Sequence, residues 1–299
     1  RRHCLYQRQT LYRHPVRPNP KGRLKMPTPD QWLRACPLPR NEARMLLQRA
    51  LGCTRVQLLT QGGSEMSEHA AATAQELAHR RIQGEPMAYI LGEREFYGRM
   101  FRVNPDVLIP RPETEHLVEA VLDRLPPQGR VWDLGTGSGA VAVSIALERP
   151  DARVRASDIS AAALHTAAQN AAALGADIEF ALGSWFDTDR PSEKKSYDII
   201  VSNPPYIEAG DAHLEQGDLR FEPQGALTDF SDGLSCIRAL AAGSPAYLKN
   251  GGWLLLEHGC GQGAQVRAVL AEHGFSRIDT LPDLAGLDRV TLGVFDHGN

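Results

Sequence analysis

Cysteine is scarce in this 299-residue chain, and its five copies (Cys4, Cys36, Cys53, Cys236, Cys260) are odd in number and scattered. No Cys-x-x-Cys pair occurs, so neither a disulfide framework nor a zinc site is expected, and no metal site is expected at all. A reducing cytoplasm is the simplest setting for such a chain. No run of 18 or more apolar residues occurs either, so no membrane span is expected. Internal repeats and low-complexity tracts are absent too. Basic charge is short over most of the length. Residues 1–25 carry eight Lys/Arg and no Asp or Glu, which leaves 25 basic against 36 acidic groups after them, a net of −11. An acidic body argues against a nucleic-acid substrate, because proteins that grip duplexes present a basic face. The basic segment 1–25 reads as an upstream extension, non-native or disordered, with Met26 as the true start. Its competing reading is a nucleic-acid or targeting arm.

What is present is ordinary globular composition, 42% hydrophobic and 23% charged. Residues 26–92 have helical periodicity. Trp32, Leu33, Cys36 and then Ala43, Leu46, Leu47, Leu51 recur every three or four positions, with Asp30 and Ser67 as expected N-caps. The stretch 93–110 is expected as a hairpin linker, and Ala88–Gly92, Glu95–Gly98 and Phe101–Val103 all read as short strands around glycine turns. From 111 to 299 strands and helices alternate. Strands are expected at Arg130–Leu134, Arg153–Ser157, Ile178–Ala181, Asp198–Ser202, Trp253–Leu256 and Arg289–Phe295. That rhythm predicts an α/β fold, a doubly wound parallel sheet with helices on both faces.

Two motifs carry chemistry. Asn203-Pro204-Pro205-Tyr206 stops the strand that ends at Ser202. Two prolines fix two φ angles and remove two donors, so the turn is stiff. Asn203 offers an amide that both donates and accepts, and Tyr206 a flat face. Together they suit a planar NH2 group, either an amide or an exocyclic amine. The second motif, Gly135-Thr136-Gly137-Ser138-Gly139, follows the first strand of the α/β region. Alternate glycines allow a tight turn and close ligand approach. Asp158 ends the next strand, where an acid binds ribose hydroxyls. A dinucleotide loop is the rival reading, since Gly135, Gly137 and Ala140 satisfy its spacing. Asp133 ahead of the first glycine and the extra Gly139 favour a methyl donor instead.

With these motifs stand Gly84-Glu85-Pro86, Glu95-Phe96-Tyr97-Gly98, the corner Pro110-Arg111-Pro112-Glu113, Gly183-Ser184-Trp185-Phe186, Gln216–Pro223, Leu255–Gly259 and Asp288–Gly293. From about Met26 onward the chain resembles the release factor glutamine methyltransferases, the PrmC/HemK family. The segment before Met26 matches nothing in that family. The resemblance implies a helical N-terminal substrate-recognition domain, a hairpin linker and a seven-stranded, Rossmann-like methyltransferase domain that uses S-adenosyl-L-methionine. It implies that Gly135 to Gly139 and Asp158 hold the donor's methionine part and ribose, that Trp185 meets the adenine, and that Asn203 borders donor and acceptor alike. The acceptor glutamine would sit on Asn203, Pro204, Pro205 and Tyr206, with Asn203, Pro204 and Tyr206 catalytic. The partner implied is a class 1 release factor, met by a monomer. The ribosomal protein L3 glutamine methyltransferase is the nearest rival, and the Pro-Arg-Pro-Glu corner disfavours it. Adenine-N6 nucleic-acid methyltransferases share the Asn-Pro-Pro-Tyr tetrapeptide. A dinucleotide oxidoreductase and a silent adaptor are more distant readings. Arg111 and Glu113 are read either as pocket lining or as a structural corner, and Glu257-His258 as a capped strand end.

Overall fold

A computed structural model describes residues 25–188 and 193–297. The basic segment 1–24 lies outside these residues. The chain divides into two compact units between Gln83 and Gly84.

In the first unit the described residues form α1 (Pro29–Ala35), α2 (Arg40–Leu51), α3 (Arg55–Gln61) and α4 (Glu68–Ile82). Thr28, rather than Asp30, caps α1, because a reciprocal capping box with Gln31 satisfies both backbone donors. Asp30 sits in the first helical turn instead. Thr54 and Gln57 repeat the device on α3. Ser67 caps α4 through Ala70 N at 3.1 Å. Trp32, Leu46, Leu47 and Ala74 are buried, and a two-pronged Arg81–Glu42 ion pair, with both contacts at 2.9 Å, ties α4 to α2.

The second unit opens with α5 (Met87–Leu91), so Ala88–Leu91 is a helical turn and not the expected strand. Pro86 starts it, and Gly92 ends it in the left-handed region at φ 78°. So short an apolar stretch does not distinguish the two periods. The hairpin β1 (Glu93–Phe96) and β2 (Arg99–Arg102) turns on Tyr97 (φ 50°) and Gly98 (φ 72°), as a two-residue turn with positive φ at both positions requires. The unit continues through α6 (Glu115–Leu122), β3 (Arg130–Leu134), α7 (Ala140–Glu148), β4 (Arg153–Asp158), α8 (Ala161–Leu174), β5 (Ile178–Leu182), β6 (Tyr197–Ser202), α9 (Gln224–Leu227), α10 (Ser235–Gly243), β7 (Leu248–Glu257), α11 (Gly263–Glu272), β8 (Phe275–Pro282) and β9 (Asp288–Phe295).

Seven strands form one sheet in the order β5-β4-β3-β6-β7-β9-β8. The sheet is not wholly parallel. β9 runs antiparallel to both β7 and β8, because the short Asp283–Leu287 connection allows only a reversal. β8 is the strand that hydrophobic pattern did not reveal. It is an edge strand reading Phe-Ser-Arg-Ile-Asp-Thr-Leu-Pro, with only Phe275 buried, and edges carry polar residues to prevent strand addition. The central strands are buried on both faces. Ile199 and Val201 face a core shared with α6 and α7, whereas Ile200 faces a core shared with α10 and α11.

Candidate functional site: a glycine cradle beside an anchored asparagine

The order β5-β4-β3-β6-β7 reverses the direction of chain progress between β3 and β6. That is the point where open α/β sheets bind ligands, at the carboxyl ends of the strands. Three sequence motifs meet there. Gly135, Gly137 and Gly139 adopt φ of 76°, 56° and 81°, a region that L side chains resist. Gly135 N and Thr136 N donate to Ser157 O at 2.8 and 3.0 Å, and Gly139 N donates to Thr136 O at 2.8 Å. A Cβ on Gly139 would lie 3.0 Å from Ala167 Cβ, so this glycine lets the loop seat on α8. A Cβ on Gly137 would meet nothing within 4 Å, which leaves that backbone open to a ligand.

The acids at the strand ends are tied to this loop. Asp158 accepts from Gly137 N (2.9 Å) and Ser160 N (2.9 Å), and burial raises its pKa. A carboxylate has about four acceptor positions, so these backbone donors do not exhaust it and room remains for a hydroxyl donor. Asp133 is fully buried and accepts from Thr136 Oγ1 at 2.7 Å. Burial pushes it up to about 7, against the Thr136 bond.

A cavity of about 380 Å³ lies over the loop, within the usual range for small-molecule sites. Gly135, Thr136, Gly137, Ser138, Asp158, Trp185, Asn203 and Pro205 line it. Gly139, Pro204 and Tyr206 flank these residues in the chain and are not among the lining. Trp185, itself at φ 42°, brings its indole within 3.5 Å of where a Cβ on Gly135 would lie. Tyr206 O accepts from Gln262 Nε2 at 3.0 Å, and burial followed by the Glu257 charge holds the Tyr206 phenol above its usual range.

Asn203 is anchored from behind. Its Nδ2 donates to Thr114 Oγ1 at 3.3 Å. Glu257, at the end of β7 and 1% exposed, takes side-chain hydrogen bonds from Thr114 and Asn203, while burial raises its pKa to about 7. A carboxylate only accepts, so it selects the NH2 end of the asparagine and leaves Oδ1 outside this anchor. Glu257 is therefore more than a capped strand end. Its neighbour His258 is structural, held between Thr291 Oγ1 (2.8 Å) and Gly259 O (2.9 Å). Arg111 and Glu113 do not line the cavity. Arg111 pairs with buried Glu222 at 2.5 Å, and Glu222 also accepts from Ile109 N, which pins the proline corner to the segment after Asn203-Pro204-Pro205-Tyr206.

A family profile described as the PrmC N-terminal domain matches residues 31–92, and one described as a methyltransferase small domain matches residues 112–220. The release factor glutamine methyltransferase of Neisseria gonorrhoeae is 72% identical over 266 residues, covering 89% of this chain and 97% of that protein. The chain belongs to the release factor glutamine methyltransferases. A Bordetella pertussis member is 50% identical over 86% of this chain and 95% of its own length. Among solved structures, a Pyrococcus furiosus methyltransferase superposes with a TM-score of 0.52 at 14% identity, over 75% of this chain and all of that one. The 16S rRNA N2 G1207 methyltransferase of T. thermophilus, solved with AdoMet and guanosine, gives 0.50 at 22% identity, over 68% and 49%. These two likenesses concern the fold alone.

Within this family member, sequence reasoning missed Thr114 and Phe230, both of which line the cavity. No local pattern flags a threonine in a proline corner or a phenylalanine in a polar loop. Glu257 carried a weak signal, an acid closing the apolar run Trp253–Leu256.

Proposed function

We propose that this protein transfers a methyl group from S-adenosyl-L-methionine to the side-chain amide nitrogen, N5, of the glutamine in the Gly-Gly-Gln motif of class 1 peptide chain release factors, in support of translation termination. It does so as a cytoplasmic monomer acting on protein and not on nucleic acid. No helix among the described residues is long and apolar enough to cross a membrane.

The observation that carries the reading is Asn203, held by its NH2 group at the wall of a cavity that the glycine loop also lines. The residues fit the donor. The open backbone at Gly137 leaves room for its methionine part, Asp158 keeps acceptor positions for ribose hydroxyls, and Trp185 offers an aromatic face for adenine. When bound there, S-adenosyl-L-methionine supplies an electrophilic methyl group.

The protein's task is to make a poor nucleophile react. An amide nitrogen delocalises its lone pair into the carbonyl. Asn203 Oδ1 and the Pro204 carbonyl accept the two amide hydrogens, which returns electron density to nitrogen and strengthens as positive charge develops. Tyr206 packs on the amide plane and fixes its orientation, so that positioning supplies much of the rate. Asn203 cannot take up a proton, so the proton is lost to solvent after transfer.

The test offers isotope-labelled S-adenosyl-L-methionine with purified release factor, ribosomal protein L3 and DNA, and locates the methyl group by mass spectrometry. Label on the Gly-Gly-Gln glutamine is expected. Label on L3 or DNA with none on release factor would refute the assignment.

A further inference from the structure

Phe230 is unusual for three independent reasons. It is 68% exposed, although large aromatics usually bury most of their surface. Its backbone lies in the left-handed region at φ 57°, where a residue of this bulk is an outlier. It also lines the cavity that holds Asn203. A single exposed phenylalanine needs no explanation. One that is exposed, strained and placed at a cavity wall does, because strained residues persist only where their surroundings over-determine them.

The surroundings do so here. Phe230 N donates to Thr228 Oγ1 at 3.0 Å. Asp229 accepts from Ser231 N (2.8 Å) and Gly233 N (3.0 Å) through Oδ1, and from Ser235 N (2.8 Å) and Ser235 Oγ (2.6 Å) through Oδ2. Both flanks are pinned to the chain just after Tyr206. Ile207 N donates to Leu227 O at 3.0 Å, Ala209 N donates to Ser231 O at 2.8 Å, and Ile207 bridges Thr228. The loop is thus an extension of the acceptor side of the site, next to β6. The donor-side residues Asp158 and Trp185 follow β4 and β5, beyond β3.

From this geometry we infer that Phe230 is a substrate-positioning residue, an apolar wall against which the release factor segment flanking the target glutamine packs. The inference rests on the function proposed above and adds a specificity contact to it. A protein substrate must deliver its glutamine past the cavity mouth, and an aromatic ring already held outward loses little freedom when covered.

The experiment compares the parent with Phe230→Gly and Phe230→Ala, using purified release factor in steady-state kinetics, calorimetry for the donor and thermal melting. Both variants should raise KM for release factor about tenfold, a modest part of what burying a phenylalanine contributes. Donor Kd should stay within about twofold. The Tm of Phe230→Gly should stay within about 2 °C of the parent, because relief of left-handed strain offsets the greater freedom of the unfolded glycine chain. Unchanged KM in both variants would overturn the inference. So would a donor Kd weakened about tenfold with KM for release factor unchanged, which would put the ring on the donor. A parent that leaves release factor unmethylated removes the functional reading and this one together. An active parent with unaffected variants removes only this one.

Discussion

Glu257→Gln should stabilise the protein at alkaline pH while slowing the reaction. The carboxyl group is 1% exposed, its Oε2 has no hydrogen-bond partner, and burial lifts its pKa from 4.5 to about 7. For an acid whose folded pKa is raised, the folded state holds the proton more tightly than the unfolded chain. Folding therefore suffers no penalty below pH 4.5, loses stability steadily from there to about 7, and bears the full penalty above. A shift of that size corresponds to about 3 kcal/mol at 1.36 kcal/mol per unit. Glutamine is neutral throughout. Urea unfolding should thus find parent and variant nearly equal at pH 5, with the variant ahead by up to ~3 kcal/mol at pH 8. The activity should move the other way. Glutamine can donate as well as accept, so it no longer selects the NH2 end of Asn203, and kcat should fall about tenfold, the worth of one hydrogen bond to a charged group. In the parent, kcat should rise with pH through about 7 as Glu257 ionises, and in the variant that rise should flatten. A variant less stable than the parent at both pH values would refute the burial argument. Unchanged kcat and an unchanged pH profile would refute the positioning argument.

Asn203→Ala should lower kcat by roughly 100-fold or more, the usual loss for one preorganised polar partner of a transition state, while calorimetry shows donor affinity within about twofold. Asp158→Ala should weaken donor binding by about tenfold or more, since a charge-assisted hydrogen bond to the ribose is lost. The same calorimetry with unaltered affinity would remove Asp158 from the site. Gly139→Ala should destabilise by roughly 2 kcal/mol in urea unfolding, from left-handed strain and the 3.0 Å approach to Ala167 together.

Much of this molecule is written in local pattern. Helical periodicity marked the first unit. The alternation of strands and helices after Gly129 marked the doubly wound sheet, and the glycine spacing of residues 135–139 marked a ligand loop, because left-handed backbone and tight turns depend on residue type at fixed positions. Asn203-Pro204-Pro205-Tyr206 was legible for the same reason, since proline stiffens its own turn. The tertiary structure decided what depends on residues distant in sequence. Whether Met87–Leu91 is strand or helix rests on its surroundings, and the antiparallel β8–β9 edge is set by a short connection and a polar strand that period-2 hydrophobicity does not reveal. The orientation of Asn203 depends on Thr114 and Glu257, 89 residues before it and 54 after, and the pose of Phe230 depends on Asp229 and the chain beyond Tyr206. Burial raises the Glu257 pKa, and burial is a property of the assembled sheet. A sequence names the groups that can react, while the fold determines which end of an amide is left for the substrate.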